Sequence, residues 1–143
     1  MRKAISILLF MTILIFIISA CGLKRIKIED YEWKMRTIVH TEDNQLVYDA
    51  VSKENATHPE ARIINMMFVA KDGEITITNV TDNKTYKGTY VVTRKTLEET
   101  NYEIYIDGKL GYATVAMTTY ADGIKEPTLP ISFNGYSLYF YAE

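Results

Sequence analysis

The segment Tyr102–Met117 reads YEIYIDGKLGYATVAM and shows most clearly how this chain folds. Tyr102, Ile104 and Ile106 alternate with more polar neighbours before Asp107-Gly108, and a second alternating run follows it. Asp-Gly favours the type I′ turn of a two-residue hairpin, because both central residues of that turn need a positive φ. The segment therefore predicts two antiparallel strands, near 101–107 and 111–120.

Similar turn signals recur along the chain, and each lies between runs of β-branched and aromatic residues. Such runs, bounded by Gly, Asp and Asn, predict strands. No part of 32–143 has a convincing 3.6-residue apolar stripe, and only 53–61 and 95–100 leave room for a short helix. The turn signals are Lys71-Asp72-Gly73, Thr81-Asp82-Asn83-Lys84, Asp122-Gly123 and Asn134-Gly135. The remaining predicted strands are 32–40, 46–52, 62–70, 74–80, 85–95, 128–133 and 136–142.

A sheet of so many short strands must protect its two edges. Closing the sheet into a barrel removes the edges completely, and stacking two sheets protects them in part. Consecutive hairpins favour an up-and-down barrel over a Greek-key sandwich, which needs a long crossing connection. We therefore predict an all-β fold: a small antiparallel up-and-down β-barrel of about eight or nine strands with little helix, spanning residues 32–143.

The N-terminal residues differ in composition from the rest of the chain. The basic residues Arg2 and Lys3 precede an apolar stretch that runs from residue 5 to residue 18. A positive start, an apolar core and small residues at its end describe a secretory signal peptide. We expect residues 1–20 to be this signal, the alternative being an N-terminal transmembrane anchor. Both alternatives place residues 22–143 outside the cytoplasmic membrane.

The end of the apolar stretch, Ile18-Ser19-Ala20-Cys21, resembles the lipobox of bacterial lipoproteins. The resemblance implies cleavage before Cys21, a diacylglyceryl group on its thiol, and fatty acids such as palmitate. Two or more acyl chains hold a protein stably on a bilayer, so the modified Cys21 would serve as a membrane anchor. We therefore expect residues 21–31 to be the lipidated cysteine and a tether to the barrel. The resemblance also implies a bacterial source and a place on the outer face of the cell membrane.

Residues suited to catalysis are few. The only histidines, His40 and His58, show no metal-ligand spacing, and Cys21 is the only cysteine. A serine nucleophile needs a positioned base, and the sequence has no Gly-x-Ser-x-Gly motif and no glycine-rich phosphate loop. A net charge of −2 with dispersed basic residues does not fit a nucleic-acid binder. We therefore expect no enzyme activity, no cofactor, no metal site and no nucleic-acid partner.

The aromatic residues of the barrel domain are the feature that points to binding. All 11 tyrosines lie at or beyond residue 31, and tyrosine suits half-wet positions because it buries a ring and keeps a polar hydroxyl. Tyrosines of this kind line a cavity mouth in one interpretation and form ordinary cross-strand pairs in the other. The residues that we expect to bind a ligand are Trp33, Tyr90, Ile104, Tyr112 and Phe140.

The barrel domain is also similar to small lipoproteins of Gram-positive bacteria that have a reduced lipocalin-type (calycin-like) fold. The similarity rests on Trp33 in the first strand, on Gly88-Thr89-Tyr90, and on the closing segment 131–141, ISFNGYSLYFY. Where lipocalins carry Gly-x-Trp, this chain has Tyr31-Glu32-Trp33. The resemblance implies binding of a small apolar molecule in a shallower barrel than the usual one.

Two functions are consistent with this fold. In the first, the chain is a membrane-anchored extracytoplasmic lipoprotein that binds a small apolar or amphipathic ligand in its barrel. In the alternative, the barrel is filled, and an exposed aromatic surface at 62–70 or 136–142 binds a protein of the cell envelope, as an interaction or inhibitor module. The two functions differ in whether the expected ligand residues surround a continuous cavity.

Overall fold

Antiparallel strands make up most of the described chain. The computed structural model describes residues 25–49 and 65–143. The predicted signal peptide 1–20, Cys21 and the helix candidate 53–61 lie outside the described residues. A 3₁₀ helix, Ile28–Asp30, precedes the first strand. The strands are β1 (Trp33–His40), β2 (Leu46–Asp49), β3 (Met66–Lys71), β4 (Glu74–Asn79), β5 (Lys84–Lys95), β6 (Glu99–Ile106), β7 (Lys109–Thr119), β8 (Lys125–Phe133) and β9 (Tyr136–Ala142).

The sheet closes into a barrel because β1 joins both ends of a meander. Strands β3 to β9 pair in sequence order, and β9 pairs with β1 along its whole length. On its other edge, β1 pairs with β3 only at Trp33↔Phe68 and Lys34↔Met67, and further along it pairs with β2. The result is a closed eight-stranded antiparallel barrel with β2 as an additional strand, which confirms the predicted all-β, up-and-down fold.

The tight turns have the backbone conformation that the sequence predicts. Both central residues have positive φ at Asp72-Gly73 (50° and 84°), at Asp107-Gly108 (49° and 74°) and at Asn134-Gly135 (50° and 82°). These are type I′ turns, whose twist matches that of the flanking strands. The helix candidate 95–100 is not helical, because it contains the end of β5, a short loop and the start of β6.

Inward-facing side chains fill the middle and one end of the barrel. Trp33, Phe68 and Ile104 are completely buried, and Phe140 is nearly so. The rings of Phe68 and Phe140 lie 5.8 Å apart between centroids and are tilted by 57°, a favourable arrangement for two aromatic rings. Further buried apolar residues are Met35, Ile38, Ala70, Ile75, Ile77, Tyr90, Tyr102, Ile106, Ala113, Val115, Leu129 and Ile131.

The 3₁₀ helix Ile28–Asp30, called the plug below, closes the filled end of the barrel. Ile28 is completely buried and belongs to the core. Its carbonyl oxygen accepts the indole N–H of Trp33 at 2.7 Å, and its own N–H donates to the Tyr102 hydroxyl at 3.1 Å. The packed domain therefore begins before residue 32, because the segment assigned to the tether supplies a core side chain.

Replacing Ile28 with Ala is expected to lower the free energy of unfolding by about 2–5 kcal/mol, because it leaves a cavity beside Trp33 and Tyr102. The matched control is Leu97→Ala, a similar truncation at a side chain that is 72% exposed, which should change stability by less than about 0.5 kcal/mol. Chemical denaturation of residues 22–143, followed by Trp33 fluorescence, measures both effects. Equal destabilisation by the two substitutions would show that the plug is not part of the core.

Candidate functional site

An apolar cavity opens at the end of the barrel opposite the plug. It has a volume of about 190 Å³, and Asp107 is the one charged residue in its lining. We call it the mouth cavity. Its lining residues are Met66, Ile77, Tyr86, Ile106, Asp107, Ile131, Phe133, Leu138 and Phe140.

The position of the mouth cavity follows from the topology. Ile106 is the last residue of β6, Phe133 is the last of β8, and Met66 is the first of β3. Successive turns of an up-and-down barrel alternate between its two ends, so the β4–β5, β6–β7 and β8–β9 turns lie at one rim. Inward-facing residues next to these turns therefore meet around the same opening.

Two features of the packing position aromatic rings that line the mouth cavity. Phe140 forms part of the floor, where its ring packs against the buried Phe68. Gly111 lies opposite Phe133 and Ile104 in the sheet, and a Cβ atom there would approach Phe133 Cδ2 to 2.8 Å and Ile104 Cγ1 to 3.1 Å. The missing side chain at residue 111 thus provides the space that the Phe133 ring occupies.

The size and polarity of the mouth cavity define the ligand class that it suits. An apolar cavity of about 150 Å³ in another protein stays dry and binds benzene or xenon. Pockets for drug-sized ligands are larger, at about 300–1,000 Å³. At about 190 Å³, the mouth cavity is large enough for a segment of an alkyl chain or a single ring.

The ligand residues expected from the sequence lie in different parts of the structure. Phe140 lines the mouth cavity, whereas Trp33 and Ile104 are packed in the core and do not line it. Tyr112 is 57% exposed on the outside of β7, because its neighbour Ala113 points inward. The structure therefore places only Phe140 of these four residues at the mouth cavity.

Tyr90, the fifth expected ligand residue, links the plug to the barrel wall. Its hydroxyl donates to the Glu29 carboxylate and accepts the Gly73 N–H at 3.3 Å. Its ring lies edge-on to that of Tyr102, with 5.7 Å between centroids. Burial, reinforced by the hydrogen bond to Glu29, raises the pKa of Tyr90 to about 12. The hydroxyl therefore remains a hydrogen-bond donor at neutral pH.

The other lining residues were not among those expected to bind a ligand. A signal for them was nonetheless present, since Ile106, Phe133 and Leu138 flank the Asp107-Gly108 and Asn134-Gly135 turns. Both turns lie at the same end of an up-and-down barrel, so inward residues beside them converge. The position of a residue along its strand was therefore a better indicator that it lines the mouth cavity than its aromatic character.

A second concave surface, the outer groove, lies on the outside of β1, β7, β8 and β9. It has a volume of about 370 Å³, and its lining includes Arg36, Tyr120 and Tyr139. The Arg36 guanidinium donates to the Glu126 carboxylate and to the Tyr120 hydroxyl, both at 2.7 Å. It also lies over the Tyr141 ring, 5.7 Å from the centroid. Arginine and tyrosine are enriched at protein interfaces, so this surface is the second candidate site.

Comparisons with known proteins do not assign the chain to a family. No family model matches it, and searches of curated proteins and of solved structures give no significant match. Among residues 25–49 and 65–143, no three His, Cys, Asp or Glu side chains are grouped to hold a metal ion. Within the same residues, no helix has the length and apolar character needed to cross a bilayer.

The stability of the domain is expected to fall as the pH rises from about 10 to about 12. In this range Tyr90 ionises in the unfolded chain, near its ordinary pKa of 10, but keeps its proton in the folded chain until about 12. The unfolded state then binds fewer protons than the folded state, so a rising pH favours unfolding. Tyr90→Phe removes this contribution and should give a shallower decline.

Urea denaturation across the same pH range measures the decline. Tyr105→Phe, which removes the hydroxyl of an exposed tyrosine, is the matched control and should retain the wild-type slope. A Tyr90→Phe protein whose stability declines as steeply as that of the wild type would contradict the assignment.

Proposed function

We propose that this chain is a membrane-anchored extracytoplasmic lipoprotein that binds a small apolar or amphipathic ligand in the mouth cavity. The observation that carries the proposal is the cavity itself, about 190 Å³ within an otherwise packed barrel. Removing apolar surface from water contributes about 25 cal/mol per Å². A ligand that buries an alkyl chain or a ring against Phe133, Leu138 and Phe140 gains this contribution without needing a polar partner.

The lining also favours some ligand head groups over others. Asp107 lies in the β6–β7 turn and is the charged residue of the lining. A carboxylate beside an apolar cavity repels an anionic head group and attracts a cationic one. We therefore propose a ligand with an uncharged or cationic head group rather than a free fatty acid.

The N-terminal sequence supports the proposed location. Ile18-Ser19-Ala20-Cys21 has the order of small and apolar residues found in a lipobox. Cys21 precedes Arg25, the first described residue, by four positions. An extended chain covers at most about 3.6 Å per residue, so lipid on the Cys21 thiol would hold the barrel close to the bilayer surface.

A second candidate function is protein binding through the outer groove. Tyr139 is 44% exposed and lines the groove together with Arg36 and Tyr120. The groove lies partly on 136–142, the segment that the sequence offered as an exposed aromatic surface. In this function the partner is a protein of the cell envelope, and the mouth cavity has no ligand.

Linear alcohols from butanol to decanol are expected to bind residues 22–143 with an affinity that rises and then levels off. Each added methylene should raise the affinity about fourfold, equivalent to about 0.8 kcal/mol, for as long as it is buried. The increase should stop once the mouth cavity is full. Isothermal titration calorimetry measures the series, and the corresponding carboxylates should bind more weakly because of Asp107.

Two variants locate the binding site. Leu138→Trp replaces an aliphatic side chain of the lining with a bulkier indole ring and should weaken hexanol binding by about tenfold or more. Leu110→Trp makes the same substitution at an exposed side chain outside the lining and should leave binding unchanged. Affinity that is independent of chain length, or that persists in Leu138→Trp, would contradict ligand binding in the mouth cavity.

The membrane anchor is tested separately. Cys21→Ser is expected to abolish both lipidation and signal cleavage in a bacterial host, because it removes the thiol that is modified. The mass of the N-terminal peptide and the partition of the protein between membrane and soluble fractions measure the outcome. A Cys21→Ser protein that is cleaved normally and still pellets with membranes would contradict lipid anchoring.

A further inference from the structure

The two most exposed large apolar side chains of the described residues lie at the plugged end of the barrel. Leu97, in the β5–β6 loop, is 72% exposed, and Ile124, in the β7–β8 loop, is 59% exposed. Met117, near the end of β7, is 46% exposed and lines a surface depression together with Leu97. Isolated exposed apolar residues are common, but a group of them marks an interaction surface. We call Leu97, Met117 and Ile124 the apolar rim.

The apolar rim lies where the described chain begins. Arg25 and Ile26 line the same depression as Leu97 and Met117. Cys21 precedes Arg25 by four residues, and at most about 3.6 Å per residue this segment spans no more than about 15 Å. A chain that is held at a membrane through residues preceding Arg25 therefore carries the apolar rim close to the bilayer.

We propose that the apolar rim inserts into the interfacial region of the bilayer, so that the barrel stands on the membrane with its mouth cavity facing away. This inference rests on the membrane attachment proposed above and not on ligand binding. Apolar side chains that reach the boundary between head groups and acyl chains leave water. Because the attachment makes insertion intramolecular, even a weak intrinsic affinity for the bilayer is sufficient.

The charges near the apolar rim indicate how it recognises lipid. Basic and acidic side chains are mixed in the surrounding loops, so no strong positive field faces the bilayer. Insertion is therefore driven by the apolar side chains and should depend little on anionic lipid, unlike binding through basic clusters. The charged residues concerned are Arg25, Lys27, Arg94, Lys95 and Lys125, with Glu29, Asp30, Glu98, Glu99 and Asp122.

This orientation determines the side from which a ligand reaches the mouth cavity. β6 has 8 residues and runs from the plugged end to the mouth. Strands of this length, tilted by about 40° in a barrel, give a height of roughly 20 Å. The mouth cavity therefore opens to the aqueous side, and a ligand enters from there rather than directly from the bilayer.

The test uses the full chain, isolated from membranes of a bacterial host and reconstituted into phosphatidylcholine vesicles with brominated acyl chains, which quench tryptophan on contact. Leu97→Trp reports on the apolar rim, and Leu110→Trp, at the mouth end, is the matched control. Trp33 is completely buried and contributes the same background to both. We expect the quenching of Leu97→Trp to exceed that of Leu110→Trp roughly twofold or more, with or without added phosphatidylglycerol.

Equal quenching of the two proteins would overturn the proposal. Ile124→Trp is a second reporter on the apolar rim and should behave like Leu97→Trp, so one locally misfolded variant does not decide the result. The mass of the N-terminal peptide in the same sample reports on lipidation. Strong rim quenching with an unmodified Cys21 would support docking and contradict the lipoprotein proposal. A lipidated Cys21 with equal quenching would support the anchor and contradict docking.

Discussion

Trp33 connects the elements on which closure of this barrel depends. Its backbone pairs with Phe68 of β3 on one edge and with Ala142 of β9 on the other, so the first and last parts of the meander meet at this residue. Its indole N–H donates to the Ile28 carbonyl at 2.7 Å, which holds the plug in the barrel end. Because the contact with β3 involves only two residue pairs, the bulk of the buried indole supports a short seam. With the plug held there by Trp33, the Ile28 side chain fills this end of the barrel.

Local features of the sequence were sufficient to predict most of the strands and turns. A turn such as Asp107-Gly108 determines the pairing of the two strands that it joins, because these strands are adjacent in sequence. Closure of the sheet is different, since it pairs Trp33 with Ala142 across nearly the whole domain. The position of the plug also depends on a contact between distant parts of the chain, because the Ile28 N–H donates a hydrogen bond to the Tyr102 hydroxyl, 74 residues away. Such contacts depend on the shape of the complete sheet and leave no periodic pattern.

The candidate site was less predictable than the fold, for a physical reason. Strand alternation shows which face of the sheet a residue occupies, because neighbouring side chains point to opposite faces. Ala113 points into the barrel, so its neighbour Tyr112 lies on the outer face together with Thr114. Alternation does not show whether an inward residue meets a neighbour or open space. That depends on the summed volumes of side chains from several strands, for example on Gly111 beside Phe133. Only Phe140 was therefore identified in advance as a lining residue.

The mouth cavity leaves one end of the barrel unfilled, and its volume sets an upper limit on the cost in stability. Enclosed unfilled volume costs about 24 cal/mol per Å³, so 190 Å³ corresponds to at most about 4–5 kcal/mol, and to less in a cavity open to water. At the opposite end the chain fills the barrel with Ile28, a residue from outside the sheet. The same sheet thus accommodates a filled end and an unfilled end, so barrel geometry alone does not produce the cavity. The unfilled volume lies at the end away from Arg25, where it is separated from the exposed apolar side chains of the plugged end. Because the two apolar surfaces lie at opposite ends of one small barrel, neither occludes the other.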